Sequence, residues 1–230
     1  MPSPTTSILR PALADGRVVA GFTTRDFSPA GESLDDARAR LGETTGLPVA
    51  SVGQVHEARV ATATRAGHVP AHDGLVTDRP GLLLSVIAAD CALVLLADAE
   101  AGVVGACHSG WRGTVAGIVG ETVRAMAALG AEPTRTRAFL GPCISTEAFE
   151  VGEEVAAQFS PTVVERRPEW PRPHVDLRAD LVRQLGEAGV SDVEVDGACT
   201  VADGRFYSYR GEGGTAGRML GFIGTRRAQS

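Results

Sequence analysis

The sequence predicts a mixed α/β protein built as one domain over residues 1–230. Strand-like segments come in clusters with only a few helical segments between them, which favours α/β or α+β layers over a doubly wound parallel sheet. Two apolar segments, 81–89 and 92–98, show little alternation and so are typical of strands covered on both faces. A chain of 230 residues is long enough to bury a substantial core.

The elements can be placed in order along the chain. After a loose N-terminal end, strands are predicted at 16–25, 48–64 (as one strand or two), 81–89, 92–98, 102–107, 137–141, 193–197 and 217–224. Helices are predicted at 33–47, 114–129 and 176–190, with Ser33, Thr114 and Asp176 as their N-caps. The proline-rich segment 166–173 is expected to cross the surface.

The helix predicted at 114–129 is amphipathic, since its apolar residues recur with helical spacing. One face would carry Val115, Ile118, Val119, Thr122 and Met126.

The net charge and the composition limit which partners and which cellular compartment are expected for the protein. A net charge of −6 argues against a general nucleic-acid or anionic-membrane binder. The longest apolar stretch, 82–97, is interrupted by Asp90 and is too short to span a bilayer. The N-terminal residues lack the apolar core of a signal peptide, so we expect a cytoplasmic protein whose four cysteines are thiols or metal ligands. The oligomeric state stays open.

Strand geometry separates neighbouring candidate residues around positions 90 and 108. Side chains alternate along a strand, so Asp90 and Cys91 should face opposite ways, as should Cys107 and His108. If His108 points into a site, Cys107 points into the core. Cys91 and His108 are therefore the favoured functional pair, and Asp90 is expected to face away from it.

A third candidate ligand lies earlier in the chain. Gln54 and His56 share a face if their segment is a strand. His56, Cys91 and His108 would make a three-ligand site with the fourth position open, which is the pattern of a catalytic zinc. The alternative is two ordinary core or surface histidines. His72 could be a fourth ligand, a pocket wall or a solvated loop residue, while His68 and His174 are expected to have no role in a site.

Two glycine-containing segments could bind substrate. In 108–114, Arg112 and the start of the following helix could hold an anion such as phosphate. The alternative is that Trp111 fills the core and Arg112 pairs with a surface carboxylate. In 206–218, aromatic and glycine residues around Tyr209 and Arg210 suit a planar ligand, although a plain hairpin loop would look the same.

These segments together resemble one protein family. The motifs are QVH (54–56), DGLVTDRPGLLLSVIAADC (73–91), HSGWRG (108–113), GPCISTEAFEVGEEV (141–155), DLRADLVRQL (176–185) and CTVADGRFYSYRGEGGTAGR (199–218). They are similar to those of the laccase-domain proteins, also described as purine nucleoside phosphorylases of the polyphenol-oxidase type or peptidoglycan editing factors. The resemblance covers roughly residues 50–225.

The resemblance implies a layered αββα sandwich with a metal in a surface pocket. It implies zinc, with copper possible, on His56, Cys91 and His108. It also implies phosphorolysis of adenosine, inosine and methylthioadenosine together with adenosine deamination. Its partners would be small molecules, a purine nucleoside and phosphate. On this reading Cys91, His108 and Arg112 are catalytic, and the substrate-binding residues are Gln54, Arg112, Tyr209 and Arg210.

The sequence departs from the family pattern in places that bear on substrate choice. The part before the first helix is shorter than is usual, and the usual Asn-Arg pair is Ala37-Arg38 here. Ala92 stands where a proline usually follows the cysteine, and the segment 208–214 departs from the family pattern at a second arginine. Three alternatives therefore stay open: an amidase that edits peptidoglycan precursors, a copper-dependent polyphenol oxidase side activity, and a non-catalytic zinc-stabilised binding module.

Overall fold

The computed structural model describes residues 7–14 and 16–227. Its strands are β1 Ile8–Leu9, β2 Val18–Thr23, β3 Val49–Gly53, β4 Val60–Thr62, β5 Gly67–Pro70, β6 Gly74–Thr77, β7 Leu83–Ala88, β8 Ala92–Asp98, β9 Val103–Ser109, β10 Arg137–Leu140, β11 Val164–Glu165, β12 His174–Val175, β13 Asp192–Val195 and β14 Met219–Thr225. Its α-helices are α1 Leu34–Thr45, α2 Trp111–Val115, α3 Ile118–Ala127, α4 Glu153–Ala156 and α5 Leu177–Glu187. The loose end predicted at the N-terminus lies partly outside the described residues.

Two six-stranded sheets form the centre of the molecule. The first has the strand order β1-β2-β14-β7-β3-β5, in which β3 runs parallel to β5 and β7 and the other pairs are antiparallel. The second has the order β13-β10-β8-β9-β6-β4, with parallel pairs only at its two edges. β11 and β12 form a separate small pair, and the segment 166–173 connects them.

The two sheets pack face to face and helices cover both outer faces. Phe22 and Leu84 of the first sheet share one buried cluster with Leu93, Leu95 and Phe139 of the second.

On the outer side of the first sheet, the helix α1 buries Ala37 and Leu41 against Leu83, Leu220 and Phe222. On the outer side of the second sheet, α3 and α5 bury Ile118, Val119, Leu181 and Leu185 against Val94 and Leu96. The predicted αββα layering is confirmed.

The helix predicted at 114–129 is two helices. Gly117 lies between α2 and α3 with φ of 78°, a left-handed conformation that glycine adopts without strain. The prediction of Thr114 as N-cap was wrong, because Gly110 occupies that position and Thr114 lies inside α2. Val115 was also misplaced, since it is 39% exposed.

The segment 48–64 divides into two strands of different sheets, β3 and β4. Residues 54–59 form the loop between them, and His56 has φ of 63° within it. The prediction that Gln54 and His56 share one face of a strand was therefore wrong. β5 and β6 were not predicted because they are only four residues long. Within the described residues, no helix has the length and apolar character needed to cross a membrane.

Candidate metal centre

Three side chains from distant parts of the chain converge at one end of the second sheet. The ligand atoms of His56, Cys91 and His108 all lie within 4.8 Å of one another. The two imidazole rings meet edge to face, with their centroids 4.8 Å apart. One thiol and two imidazoles are donors that zinc and copper accept, so the chemistry of this set fits a metal ion.

Strand pairing explains why Cys91 and His108 meet. β8 and β9 pair antiparallel with Ala92 opposite Ser109, so Cys91 lies beside Gly110, two residues from His108. His108 is 2% exposed at the end of β9, while its neighbour Cys107 joins the cluster beneath α3 on the other face. The alternation predicted for Cys107 and His108 is therefore present.

The alternation of side chains along a strand does not apply to Cys91, because Cys91 lies in the turn between β7 and β8. Asp90, just before it, has φ of 90°, which is strained for a residue with a side chain. The Asp90 carboxylate accepts hydrogen bonds from the Thr200 hydroxyl at 2.6 Å and from the Arg210 N–H at 2.7 Å. Asp90 is one of the residues around the cavity onto which the cluster opens, and the expectation that its carboxylate faces away from Cys91 stays a prediction.

Asp73 is a site residue that the sequence analysis missed. It is fully buried, and its Oδ1 accepts a hydrogen bond from the Nδ1 of His108 at 2.9 Å. Its two oxygens also accept from the N–H groups of Val55, His56 and Glu57 at 2.9–3.1 Å. One carboxylate thus fixes the loop that carries His56 and leaves the Nε2 of His108 free to bind a metal. The available signal was an acid directly before a short apolar strand.

The electrostatics of the cluster favour a thiolate. Burial raises the pKa of the Cys91 thiol, but contacts with His108 and His56 outweigh it and lower the pKa to about 6. Burial lowers the pKa of His108, and hydrogen bonds with Asp73 and Cys91 more than reverse this. By contrast, burial raises the pKa of Cys107 to about 12. Thiolate is the form that binds metal, so the environment prepares Cys91 and not Cys107.

A glycine makes room for the three donors. A Cβ at Gly110 would lie 2.9 Å from the Sγ of Cys91 and 3.3 Å from the Cδ2 of His56. Any side chain at this position would therefore displace two of the three candidate ligands. The glycine that begins the GWRG motif serves the site as well as the turn.

The cluster opens on a cavity of about 720 Å³, a size that suits a small ligand such as a nucleoside. Gln54, Arg112, Tyr209 and Arg210 all line it. The Gln54 amide exchanges hydrogen bonds of 2.7 and 2.8 Å with the main chain of Ile87, which continues the pairing beyond β3. The Arg210 guanidinium donates to the carbonyl oxygens of Ala148 and Glu150.

The anion site predicted at the start of a long helix is not formed as expected. α2 is only five residues long and ends before Gly117. The alternative for Arg112 is also wrong, because among the described residues no carboxylate pairs with it. Its guanidinium lies 4.3 Å from the centre of the Trp111 ring, and Trp111 itself is partly buried against a satellite cluster.

The remaining histidines take different positions. His68 lines the cavity and shares a hydrogen bond of 3.2 Å with the Ser51 hydroxyl, and the expectation that it has no role in the site stays a prediction. His72 is neither a ligand nor a cavity wall, and its Nδ1 lies 2.7 Å from the carbonyl oxygen of Pro70. His174 is buried, where it stacks on Trp170 with ring centroids 3.8 Å apart.

Comparison with known proteins identifies the family. Residues 21–226 match the model of the family described as multi-copper polyphenol oxidoreductase laccase. The chain is 44% identical to the purine nucleoside phosphorylase of Deinococcus radiodurans, over 91% of this chain and 84% of that protein. It is 41% identical to the purine nucleoside phosphorylase ORF3 of Streptomyces griseus, over 81% and 79% of the two chains.

A solved structure agrees with the fold. The crystal structure of YlmD from Geobacillus stearothermophilus superimposes with a TM-score of 0.84 and 30% identity, over 96% of this chain and 99% of that one. The family model and the relatives each cover most of the chain, and the motifs quoted above lie within the matched region. The chain therefore belongs to the multi-copper polyphenol oxidoreductase laccase family.

Proposed function

We propose that the protein is a zinc-dependent purine nucleoside phosphorylase that acts on adenosine, inosine and methylthioadenosine and also deaminates adenosine. The observation that carries the proposal is the convergence of His56, Cys91 and His108 at one point, which opens on a cavity of nucleoside size. The names of the relatives from Deinococcus and Streptomyces support the phosphorylase activity.

His56, Cys91 and His108 would hold the metal, and Asp73 would keep the Nδ1 of His108 occupied. When bound, a zinc ion supplies Lewis acidity, which polarises an oxygen or activates a water. The surrounding protein groups bind and orient the substrate. Tyr209, which is 57% exposed, offers a ring face for a purine base, and Arg210 lies beside it in the cavity wall.

Arg112 would bind the phosphate that attacks the nucleoside. Its guanidinium lines the cavity, stacks on Trp111 and has no carboxylate partner in the described part of the chain. A guanidinium offers a rigid fork that matches two phosphate oxygens. The positive charge of Arg112 also compensates the negative charge that phosphate brings into the cavity.

Product analysis of adenosine turnover with and without phosphate tests this proposal. We expect adenine and ribose 1-phosphate in the presence of phosphate. Loss of the Arg112 guanidinium removes a charge-assisted contact, so Arg112→Ala should bind phosphate about tenfold more weakly or worse. The zinc content should not change, and deamination, which uses water, should suffer much less.

Three other results would each contradict the phosphorylase. Adenine formation at the same rate without phosphate would make the enzyme a hydrolase. Cleavage of a muramyl-linked amide with no action on nucleosides would favour the amidase that edits peptidoglycan precursors. Equal nucleoside binding with and without zinc, and no turnover, would favour the non-catalytic binding module.

Copper-dependent polyphenol oxidation is a second candidate, favoured by the description of the family model and by the donor set. Two histidines and a cysteine also suit copper. Only this one cluster of possible metal ligands is found in the described residues, so we propose the oxidation as a side activity at most. Metal analysis of protein grown with both metals, followed by a phenol oxidation assay on each form, tests it.

We also propose that one domain spans the chain and that the protein works in the cytoplasm. The family match over residues 21–226 supports a single domain. The four cysteines are free thiols, which suits a reducing compartment. Limited proteolysis that left two stable fragments, or a protein recovered outside the cytoplasm on cell fractionation, would contradict these two proposals.

A further inference from the structure

The wall of the cavity formed by α1 carries a guanidinium that the proposed function does not use. Leu34 and Arg38 both line the cavity, and they lie four residues apart on one face of the helix. Arg38 is largely withdrawn from solvent, with a side chain 14% exposed. It therefore presents a positive charge to the cavity from a different element than Arg112.

Arg38 has few partners for a guanidinium that is so little exposed. Its Nη1 lies 3.3 Å from the carboxylate of Asp35, which is 94% exposed. Its Nε is buried and has no hydrogen-bond partner among the described residues. A buried donor without a partner is unfavourable, and an ion pair with an exposed carboxylate contributes little. The N–H groups that Arg38 has beyond the buried Nε and its contact with Asp35 can donate to a ligand in the cavity that the residue lines.

The other two arginines of the lining are already engaged. Arg210 donates to the carbonyl oxygens of Ala148 and Glu150, and Arg218 donates to those of Ala216 and Gly217. Arg38 and Arg112 are thus the guanidiniums of this wall that donate to no main-chain carbonyl oxygen of the described residues.

The charge of the cavity points to an anion. Four arginines line it, namely Arg38, Arg112, Arg210 and Arg218, and Asp90 is the one carboxylate in its described lining. That carboxylate already accepts from Thr200 and from the main chain of Arg210. The chain as a whole has a net charge of −6, so the positive charge is concentrated where the candidate metal lies.

We propose that Arg38 is an anion-binding residue of the cavity and that its ligand is a phosphoryl group. The fork of donors on a guanidinium suits two oxygens of such a group. The identity of the anion as phosphate rests on the proposed function, whereas the anion site itself rests on the contacts of Arg38. Inorganic phosphate and the phosphate of a nucleotide share this chemistry, and the experiment separates them.

Isothermal titration of the full-length, metal-loaded protein tests the proposal without turnover. Inorganic phosphate, adenosine 5′-monophosphate and adenosine are titrated separately into wild type, Arg38→Gln and Arg124→Gln. Arg124 is the matched control, because its side chain is 70% exposed on α3 and the change in charge is the same. Asp35→Asn removes the carboxylate that pairs with Arg38 in the described part of the chain.

We expect Arg38→Gln to weaken binding of a phosphate-bearing ligand about tenfold or more. Binding of adenosine should stay as it is in wild type, as should every affinity of Arg124→Gln. Asp35→Asn should bind the anion at least as tightly as wild type, because a competing carboxylate is gone. If Arg38→Gln loses affinity for inorganic phosphate, inorganic phosphate is the ligand. If it loses affinity for adenosine 5′-monophosphate alone, the ligand is the phosphate of a nucleotide.

Two outcomes would overturn the inference. One is equal affinity of wild type and Arg38→Gln for both phosphate-bearing ligands, and the other is a wild type that binds neither. Should Arg38→Gln unfold, Arg38→Lys replaces it in the test, because lysine retains the charge and loses the fork of donors. An unchanged phosphate affinity in Arg38→Lys, together with a weaker phosphate affinity in Asp35→Asn, would equally overturn the inference. A wild type that binds phosphate but releases no adenine would remove the phosphorylase and leave the anion site in place.

Discussion

Asp73 links the two halves of the candidate metal centre at the level of single side chains. It bonds to His108 through one oxygen and to the N–H groups of residues 55–57 through both. Burial raises the pKa of Asp73, but the hydrogen bonds from His108, Glu57 and Val55 outweigh it and hold the pKa below its usual range. The carboxylate is therefore ionised at neutral pH and can orient the His108 ring so that its Nε2 faces a metal.

Metal content should depend on the three converging residues and not on the neighbouring cysteine. Protein purified without added metal should carry about one zinc per chain. Cys91→Ser, His108→Ala and His56→Ala should each lose it, because each removes one of three protein ligands. Elemental analysis of the purified variants measures this.

Cys107→Ser is the matched control, since Cys107 adjoins His108 but is buried beneath α3 with a raised pKa. It should retain zinc. Metal-free wild type, or a Cys107→Ser variant without zinc beside a Cys91→Ser variant that keeps it, would refute the ligand assignment.

Gly110→Ala should weaken metal binding more than it weakens folding. The added Cβ would lie 2.9 Å from the Sγ of Cys91, so the thiol must move away from the two histidines. Zinc affinity, measured by competition with a chelator, should fall at least about tenfold, as it does when the groups that orient metal ligands are disturbed.

Gly120→Ala provides the control for a glycine-to-alanine change. A Cβ at Gly120 in α3 meets nothing within 4 Å, so this variant should keep its zinc affinity. It should gain about 0.5–1 kcal/mol in the free energy of unfolding, because alanine is the better helix former. Equal zinc affinities in the two variants would show that Gly110 is not needed for space.

At the level of secondary-structure elements, the carboxylate of Asp98 joins the β8–β9 hairpin to the connection between α3 and β10. Asp98 is fully buried at the end of β8. Its Oδ1 accepts from the N–H groups of Glu100 and Ala101, which shapes the hairpin turn. Its Oδ2 accepts from the N–H of Glu132 and from the guanidinium of Arg135. This end of the sheet therefore depends on an ionised aspartate.

Stability should fall in acid because of Asp98. Burial raises the pKa of Asp98, but the hydrogen bonds from Glu132, Ala101 and Arg135 outweigh it and lower the pKa below its unfolded value. The contribution to stability is thus present above about pH 4 and is lost as the pH falls through the lowered pKa. Denaturant unfolding of wild type and Asp98→Asn between neutral and acid pH measures it.

Asp98→Asn should cost about 1–3 kcal/mol at neutral pH, since an amide nitrogen cannot accept the bonds that a carboxylate oxygen does. The difference from wild type should shrink as the pH falls. Asp35→Asn, at a 94% exposed site, is the control and should follow wild type at each pH. A gap between wild type and Asp98→Asn that stays constant down to acid pH would disprove this role.

Across the whole molecule, the candidate metal centre lies where three parts of the sandwich come together. His56 follows a strand of the first sheet, Cys91 lies in the turn by which the chain passes from one sheet to the other, and His108 ends a strand of the second sheet. An ion bound to all three would tie the two sheets together at one end. Metal binding to the folded state alone would raise global stability.

Removal of the metal should therefore lower the melting temperature of the whole protein. A ligand at about a thousand times its Kd adds roughly 4 kcal/mol, which corresponds to a fall of about 10 °C on removal. Calorimetry before and after a chelator, and after zinc is restored, measures this. Cys91→Ser should melt at one temperature under all three conditions, and a wild type that did the same would contradict a metal that joins the sheets.

The layered fold and the outline of the site could be predicted from the sequence. The long apolar strands, the helix stop signals and the alternation that separates His108 from Cys107 depend on local patterns, and the structure retains them. The short strands β5 and β6 escaped prediction because four residues carry too little periodicity. The break at Gly117 escaped because a glycine inside a helical pattern is often tolerated.

The assembly of the site depends on long-range packing that local sequence patterns do not specify. Arg38 and His68 carry no local signal that distinguishes them from other polar residues, and the only local signal of Asp73 is its position directly before a short apolar strand. Their roles arise from the pairing of β6 with β9, from the packing of α1 on the first sheet, and from β5 beside β3. Those contacts join residues far apart in the chain, and their geometry depends on the packing of both sheets at once. The order of residues along the chain supplies the thiol and the imidazoles for metal chemistry, and the packing of the two sheets selects which of them meet.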